Sequence, residues 1–140
     1  MSYDALLFLH VLAAFTMVTA VGMFLAIALA LRSGRHAPTA LVLAPLAGWL
    51  WAVGGLAAIV FGVWLAVHVS QYSLTDGWII AAFVLWLVGS AIGGRIGADY
   101  RRGGGDAGPR VDSTALVLNL LLVVAVIAIL IDMIYKPGAS

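Results

Sequence analysis

One long apolar run near the start of the chain limits what this protein can fold into. The run extends from Ala5 to Leu31, ALLFLHVLAAFTMVTAVGMFLAIALAL, and His10 is its one ionisable residue. As a helix these residues would rise about 40 Å, which exceeds the roughly 30 Å hydrocarbon core of a bilayer. No face of such a helix is polar enough to meet water. The run therefore predicts a transmembrane helix.

The composition of the whole chain agrees with a membrane protein. Hydrophobic residues make up 64% of the 140 residues, charged residues make up 9%, and the mean hydropathy is +1.15. An ordinary soluble domain has about 25% charged residues. Seven Lys and Arg residues against six Asp and Glu residues leave a net charge of +1, which provides no basic surface for nucleic acid. The chain has no cysteine, and this excludes disulfides and thiolate metal sites.

Three further apolar runs follow the first, and polar turns separate them. We expect an all-α fold in which residues 1–140 form a single four-helix transmembrane domain. The predicted helices cover about 4–32, 42–71, 77–101 and 112–136. Because the links between them are short, neighbouring helices should run antiparallel in an up-and-down bundle.

The basic residues predict an orientation for this bundle. Six of the seven lie in or beside the first and third links: Arg32, Arg35, Arg95, Arg101, Arg102 and Arg110. By the positive-inside rule these links are cytoplasmic, and both termini lie on the outer side. Four aromatic residues then lie at the outer interface, where amphipathic rings prefer to sit: Tyr3, Tyr72, Trp78 and Tyr135. We therefore expect a multi-pass protein of the cytoplasmic membrane.

Small residues recur at a spacing of four on two of the predicted helices. On the second helix these are Gly54, Ala58 and Gly62, and on the third they are Gly89, Gly93 and Gly97. Such faces let helix backbones approach closely in lipid. They predict tight packing within the bundle or against a partner in the bilayer, either a second copy or another membrane protein.

Three ionisable side chains lie within the predicted spans, away from the cytoplasmic ends: His10, His68 and Asp132. The predicted topology places each about 5–8 Å below the outer surface. Polar groups inside a span usually face the bundle interior and have a partner. Two neutral imidazoles can ligate haem iron or a divalent metal, and a carboxylate can act as a further metal ligand. His10 and His68 are thus candidate ligands for haem b, and all three residues are candidate metal ligands.

The same residues also fit a purely structural interpretation. A histidine one or two turns below the interface can reach headgroups or water with its polar tip. Asp132 can do the same, or pair with Lys136 one helical turn later. No P-loop, HExxH motif or nucleophile elbow occurs in the sequence. The sequence therefore identifies no catalytic residue.

Two segments carry a resemblance to a known family: YDALLFLHVLAAF and GVWLAVHVSQYSLTDGWIIAAFVLWLVGSAIGG. Within them stand Leu9-His10-Val11 in the first helix and Gly62-Val63-Trp64 near the end of the second. The chain resembles the bacterial predicted integral membrane protein family catalogued as domain of unknown function 2269, a resemblance that implies a fold and a location in the bacterial inner membrane. More remotely, His10 is similar to a histidine early in the first helix of the copper-resistance D and haem-containing protoporphyrinogen oxidase groups. That similarity implies an axial-ligand role for His10.

Two hypotheses about function follow from these observations. The first is a non-catalytic accessory subunit or homo-oligomer of the cytoplasmic membrane, with contacts through the small-residue faces. The second is a redox membrane protein that binds haem b or a metal at the outer end of the bundle.

Overall fold

The computed structural model describes residues 2–33, 37–68, 74–102 and 113–135, and helices take up 96% of them. In chain order the helices are α1 (Tyr3–Ser33), α2 (Ala37–Val42), α3 (Ala44–His68), α4 (Gly77–Arg102) and α5 (Ser113–Tyr135). Four of them, α1, α3 with the end of α2, α4 and α5, are long and apolar enough to cross a membrane. The all-α class and the four apolar helices are therefore confirmed.

The second predicted helix differs from the observed one at its start. Instead of one helix from residue 42, a short α2 ends at Val42 and α3 begins at Ala44. Pro45 lies in the first turn of α3, where a missing backbone N–H is tolerated. The break is small, because the N–H of Ala47 still donates to the carbonyl of Leu43 at 3.0 Å. The predicted end of the second long helix, at 69–71, lies outside the described residues. So do the predicted start of the last helix at 112 and its predicted end at 136.

The helices form two hairpins that pack against each other. Helix α1 packs mainly against α3, and α4 packs mainly against α5. Lighter contacts between α3 and α4 and between α1 and α5 join the two hairpins. Helices α1 and α3 are antiparallel, since Gly62 lies against His10 and Gly54 lies against Met17. We call the end that carries Arg32 the basic end, and the opposite end the terminal end.

The basic end holds the main core and a buried polar link between the hairpins. The Tyr100 hydroxyl on α4 donates to the carbonyl of Phe24 on α1 at 3.1 Å, and their rings pack with centroids 6.1 Å apart. The side-chain amide of Asn119 on α5 donates to the Tyr100 hydroxyl at 3.3 Å and to the carbonyl of Ala115 at 2.8 Å. Buried hydrogen bonds of this kind hold three helices together at one end of the bundle.

Some of the predicted small-residue positions do allow close packing inside the bundle. A Cβ on Gly54 would lie 3.1 Å from atoms of Thr16 and Met17, a contact tighter than most real Cβ contacts, so the glycine favours this close approach of α3 to α1. On α4, a Cβ on Gly93 would come within 2.8 Å of Nε1 of Trp51. Gly97, further along α4, has nothing within 4 Å of that position. Glycines on these helices thus serve packing within the chain, and contact with a partner stays a prediction.

Candidate ligand cavity

At the terminal end the two hairpins separate around a cavity of about 620 Å³. This volume lies within the usual range of small-molecule sites, about 300–1,000 Å³. All four long helices contribute to its walls. Met17, Trp86 and Val126 line its deeper part, and Tyr3 and Ile134 line the part nearest the chain termini.

The walls of the cavity are almost entirely aliphatic and aromatic. Several of the lining side chains are also exposed on the outside of the bundle: Val11, Phe15, Phe83 and Ile134. The rim of the cavity is therefore continuous with the exposed apolar surface of the bundle.

His10 is the one histidine in the described lining of the cavity, and one of its ring nitrogens is already engaged. Its Nδ1 lies 2.9 Å from the carbonyl oxygen of Ala58 on α3. Because a carbonyl can only accept, Nδ1 carries the proton and donates it. In a neutral imidazole Nε2 is then the acceptor that remains for a ligand.

A glycine on α3 makes room for this imidazole. A Cβ on Gly62 would lie 2.9 Å from Cε1 and 3.2 Å from Nδ1 of His10. Real Cβ atoms essentially never make contacts below 3.0 Å, so any larger residue at position 62 would displace the ring. The conformation of His10 is thus set by two features of α3, a carbonyl acceptor and a missing side chain.

Trp86 also lines the cavity, and its indole N–H is packed against α3. Its Nε1 is enclosed and has no hydrogen-bond partner among the described residues. A Cβ on Gly55 would come within 3.0 Å of this nitrogen, and the indole stacks on Phe83 with ring centroids 6.0 Å apart. A buried donor without a partner costs about 1–3 kcal/mol. Such a group is often explained by a partner that is missing from the structure.

The other two predicted site residues lie elsewhere. His68 is the last residue of α3, its side chain is exposed, and it does not line the cavity. Asp132 is buried, with 9% of its surface exposed, and its Oδ2 has no partner in the described part of the chain. It also does not line the cavity. Across the described ranges, no three His, Cys, Asp or Glu residues form a group that could hold a metal ion.

The predicted haem can be compared with what the cavity offers. Nε2 of His10 is suitable as one axial ligand, because its other nitrogen donates to a carbonyl as in many ligating histidines. The second predicted ligand, His68, is not in the wall, and the described lining contains no Lys or Arg to meet two propionate groups. The described wall therefore supplies one of the two predicted axial ligands of a haem iron and no cationic partner for the propionates. An uncharged ligand suits the cavity better.

The sequence analysis singled out His10 and did not single out Trp86. A signal was present on α3, where Gly55 and Gly62 are seven residues apart and therefore share one helix face. Each of these glycines receives one polar ring of the cavity wall.

Comparison of the chain with protein-family models, curated proteins and solved structures found no match.

Proposed function

We propose that this chain is a multi-pass membrane protein that binds one uncharged lipophilic molecule between its two helical hairpins. The observation that supports this most directly is the apolar cavity of about 620 Å³ with His10 held in its wall. The proposed ligand is mostly hydrocarbon, because the walls are aliphatic and aromatic, and it enters from the lipid because the rim is exposed and apolar.

A binding role explains the wall better than a catalytic role does. The described lining contains one imidazole and neither an Asp nor a Glu side chain. General acid–base catalysis on a bound substrate relies on a group placed to give and take protons, and that group is usually oriented by a further titratable partner. Here His10 is oriented by a backbone carbonyl, which holds one tautomer and supplies no proton. We therefore propose that the protein binds its ligand without transforming it.

The test is to identify what the purified protein carries. Organic extraction of protein prepared in mild detergent, followed by mass spectrometry, should give a lipophilic molecule at about one per chain. An Ala14→Phe variant should lose this molecule, because Ala14 lines the cavity and a phenyl ring there would occupy the space. Val124→Phe is the matched control, since Val124 is exposed and does not line the cavity. Equal recovery from wild type and Ala14→Phe would contradict the proposal.

Haem b or metal binding at His10 stays as the alternative, because Nε2 of His10 could act as a ligand. An absorption spectrum and metal analysis of the same preparation test it. A Soret band that disappears in His10→Ala protein would favour haem over an uncharged ligand. Clear, metal-free protein would leave the uncharged ligand as the better candidate.

An accessory or homo-oligomeric role in the cytoplasmic membrane is a second candidate, and one face of α4 favours it. Gly94 and Gly97 both have open space where a Cβ would be, so a helix of another chain could approach there. Gly94→Leu should then weaken assembly in mild detergent, whereas Gly22→Leu should not, because Gly22 is equally open but is the one glycine of α1 and has no second open glycine beside it. A wild-type protein that is monomeric and without partners would contradict this role.

A further inference from the structure

We infer that the ligand of this cavity is an uncharged secondary alcohol, whose hydroxyl group donates to Nε2 of His10 and whose hydrocarbon extends to both sides of that hydroxyl. This inference rests on the proposed function, since it names the chemical class that the same cavity would hold. It follows from the free nitrogen of His10, from the position of His10 within the wall and from the uncharged character of the described lining.

Nε2 of His10 is a hydrogen-bond acceptor that a ligand can reach. Nδ1 donates to the carbonyl of Ala58, and no residue of the described ranges bonds Nε2. Nε1 of Trp86 is fully enclosed, whereas Nε2 of His10 is not. A molecule from outside the chain can therefore satisfy Nε2, and it must bring a hydrogen to donate.

The contacts of the imidazole place this nitrogen on the cavity side of the ring. The edge formed by Nδ1 and Cε1 lies against α3, since a Cβ on Gly62 would be 2.9 Å from Cε1 but 3.9 Å from Nε2. On α1, Leu7 lies about one turn before His10 and Ala14 about one turn after it, and both line the cavity. The ring thus stands within the cavity-lining face of α1, and Nε2 is turned away from α3 into that space.

The uncharged lining decides which kind of donor fits. The described lining contains no Asp, Glu, Lys or Arg side chain. An ammonium or a carboxylate would be buried there without an opposite charge, which is costly, and the same cost keeps His10 neutral. A ketone, an ester or an ether can only accept and would leave Nε2 without a partner. A hydroxyl is the smallest uncharged group that donates strongly, so we assign it to the ligand.

The position of His10 along the wall decides where the hydroxyl lies in the ligand. Lining residues of α1 extend from Tyr3, near the chain termini, to Met17 and Val18 in the deeper part. Tyr3 and Met17 are each seven residues from His10, which corresponds to about 10 Å of helix in either direction. A hydroxyl at His10 therefore has apolar wall on both sides, and a hydroxyl at the end of a chain would leave one side unfilled. The proposal requires binding only, and no bond in the ligand is formed or broken.

Four probes built on the same hexadecane chain test the inference: hexadecan-8-ol, hexadecan-8-one, 8-methoxyhexadecane and hexadecan-1-ol. Binding is measured in lipid nanodiscs by mass spectrometry, against nanodiscs of the same lipid without protein. Hexadecan-8-ol should bind about three- to tenfold more tightly than the ketone or the ether, because each of these lacks the hydrogen bond to Nε2. It should bind at least about threefold more tightly than hexadecan-1-ol, because it covers more of the apolar wall.

A variant of His10 identifies the source of the preference. Asn can still donate to the Ala58 carbonyl but has no atom at the position of Nε2, so His10→Asn should bind the alcohol, the ketone and the ether equally. His68→Asn is the matched control, because His68 is exposed and outside the cavity, and it should keep the full preference. Thermal unfolding shows whether each variant retains the fold. If His10→Asn does not fold, the four probes on wild-type protein decide.

The outcomes separate this inference from the proposed function. Equal binding of the alcohol, the ketone and the ether by wild type, or a preference that survives in folded His10→Asn, would overturn the hydroxyl and leave a lipophilic site in place. Equal binding of the two alcohols would overturn the internal position of the hydroxyl. If no probe binds but extraction still yields another lipophilic molecule, the ligand class is wrong and the proposed function stands. If extraction also yields nothing, both fail.

Discussion

His10 on α1 lies directly against Gly62 on α3, so closely that a Cβ on the glycine would come within 2.9 Å of Cε1 of the imidazole. This packing relationship and the hydrogen bond from Nδ1 to Ala58 together hold the ring in one orientation. An imidazole held in this way has a defined free nitrogen, which is what a binding site requires of it.

The packing of His10 on Gly62 can be tested by a double-mutant cycle. Gly62→Ala should lower the free energy of unfolding by about 1–3 kcal/mol, because the added methyl group displaces the ring. In a His10→Ala background the same substitution should be neutral or slightly stabilising, since alanine is the better helix former. Thermal or denaturant unfolding in detergent measures both values. Equal costs in the two backgrounds would show that the two residues are not coupled.

Neighbouring glycines on α4 should respond oppositely to substitution by alanine. Gly93→Ala places a methyl group within 2.8 Å of Nε1 of Trp51, and we expect a loss of about 1–3 kcal/mol in unfolding free energy. Gly94→Ala meets nothing within 4 Å, and we expect no loss or a gain of up to about 1 kcal/mol. The melting temperatures of the two variants in the same detergent provide the comparison. A Gly93→Ala protein as stable as wild type would contradict the observed packing.

The buried link at the basic end should contribute to stability. Tyr100→Phe removes the hydrogen bond to the Phe24 carbonyl and the acceptor of the Asn119 amide, so we expect a loss of about 1–2 kcal/mol in unfolding free energy. Tyr135→Phe is the matched control, because Tyr135 is 77% exposed, and it should change the value by less than about 0.5 kcal/mol. Denaturant titration monitored by tryptophan fluorescence measures both. Equal effects of the two substitutions would argue against the link.

The orientation in the membrane is tested by chemical labelling. The chain has no cysteine, so Ser2→Cys and Gly104→Cys each introduce one unique reactive thiol. By the positive-inside rule, a membrane-impermeant reagent should label the first from outside intact cells and the second only after the membrane is opened. Labelling of Gly104→Cys in intact cells would reverse the predicted topology.

The sequence could predict the class of fold because the decisive signal is local. A run such as Ala5 to Leu31 is long enough and apolar enough to form a spanning helix whatever it packs against. Pro45 indicates that a regular helix begins close to it, and α3 does begin at Ala44. The separate short helix before the break, α2, was not predicted, because a single turn between two helical segments leaves almost no mark on hydropathy. Element boundaries depend on individual backbone hydrogen bonds, and these are set by packing as well as by sequence.

The candidate site shows the limit of the local signal more clearly. Position along a helix gives the depth of a residue, and on that basis His10, His68 and Asp132 were grouped together. Only the packing of the helices decides which side of each helix faces a shared space. The structure places His10 in the cavity wall, leaves His68 exposed and buries Asp132 away from the cavity.

What the sequence by itself determined is thus the all-α class and the four long apolar helices, together with the presence of one histidine early in α1. What only the tertiary structure decided is the pairing of His10 with Ala58 and Gly62, and of Trp86 with Gly55. The physical reason is that hydropathy sums over neighbouring residues, whereas a site requires two helices to meet at one rotation angle. That angle depends on where glycines allow aromatic and imidazole rings to come close.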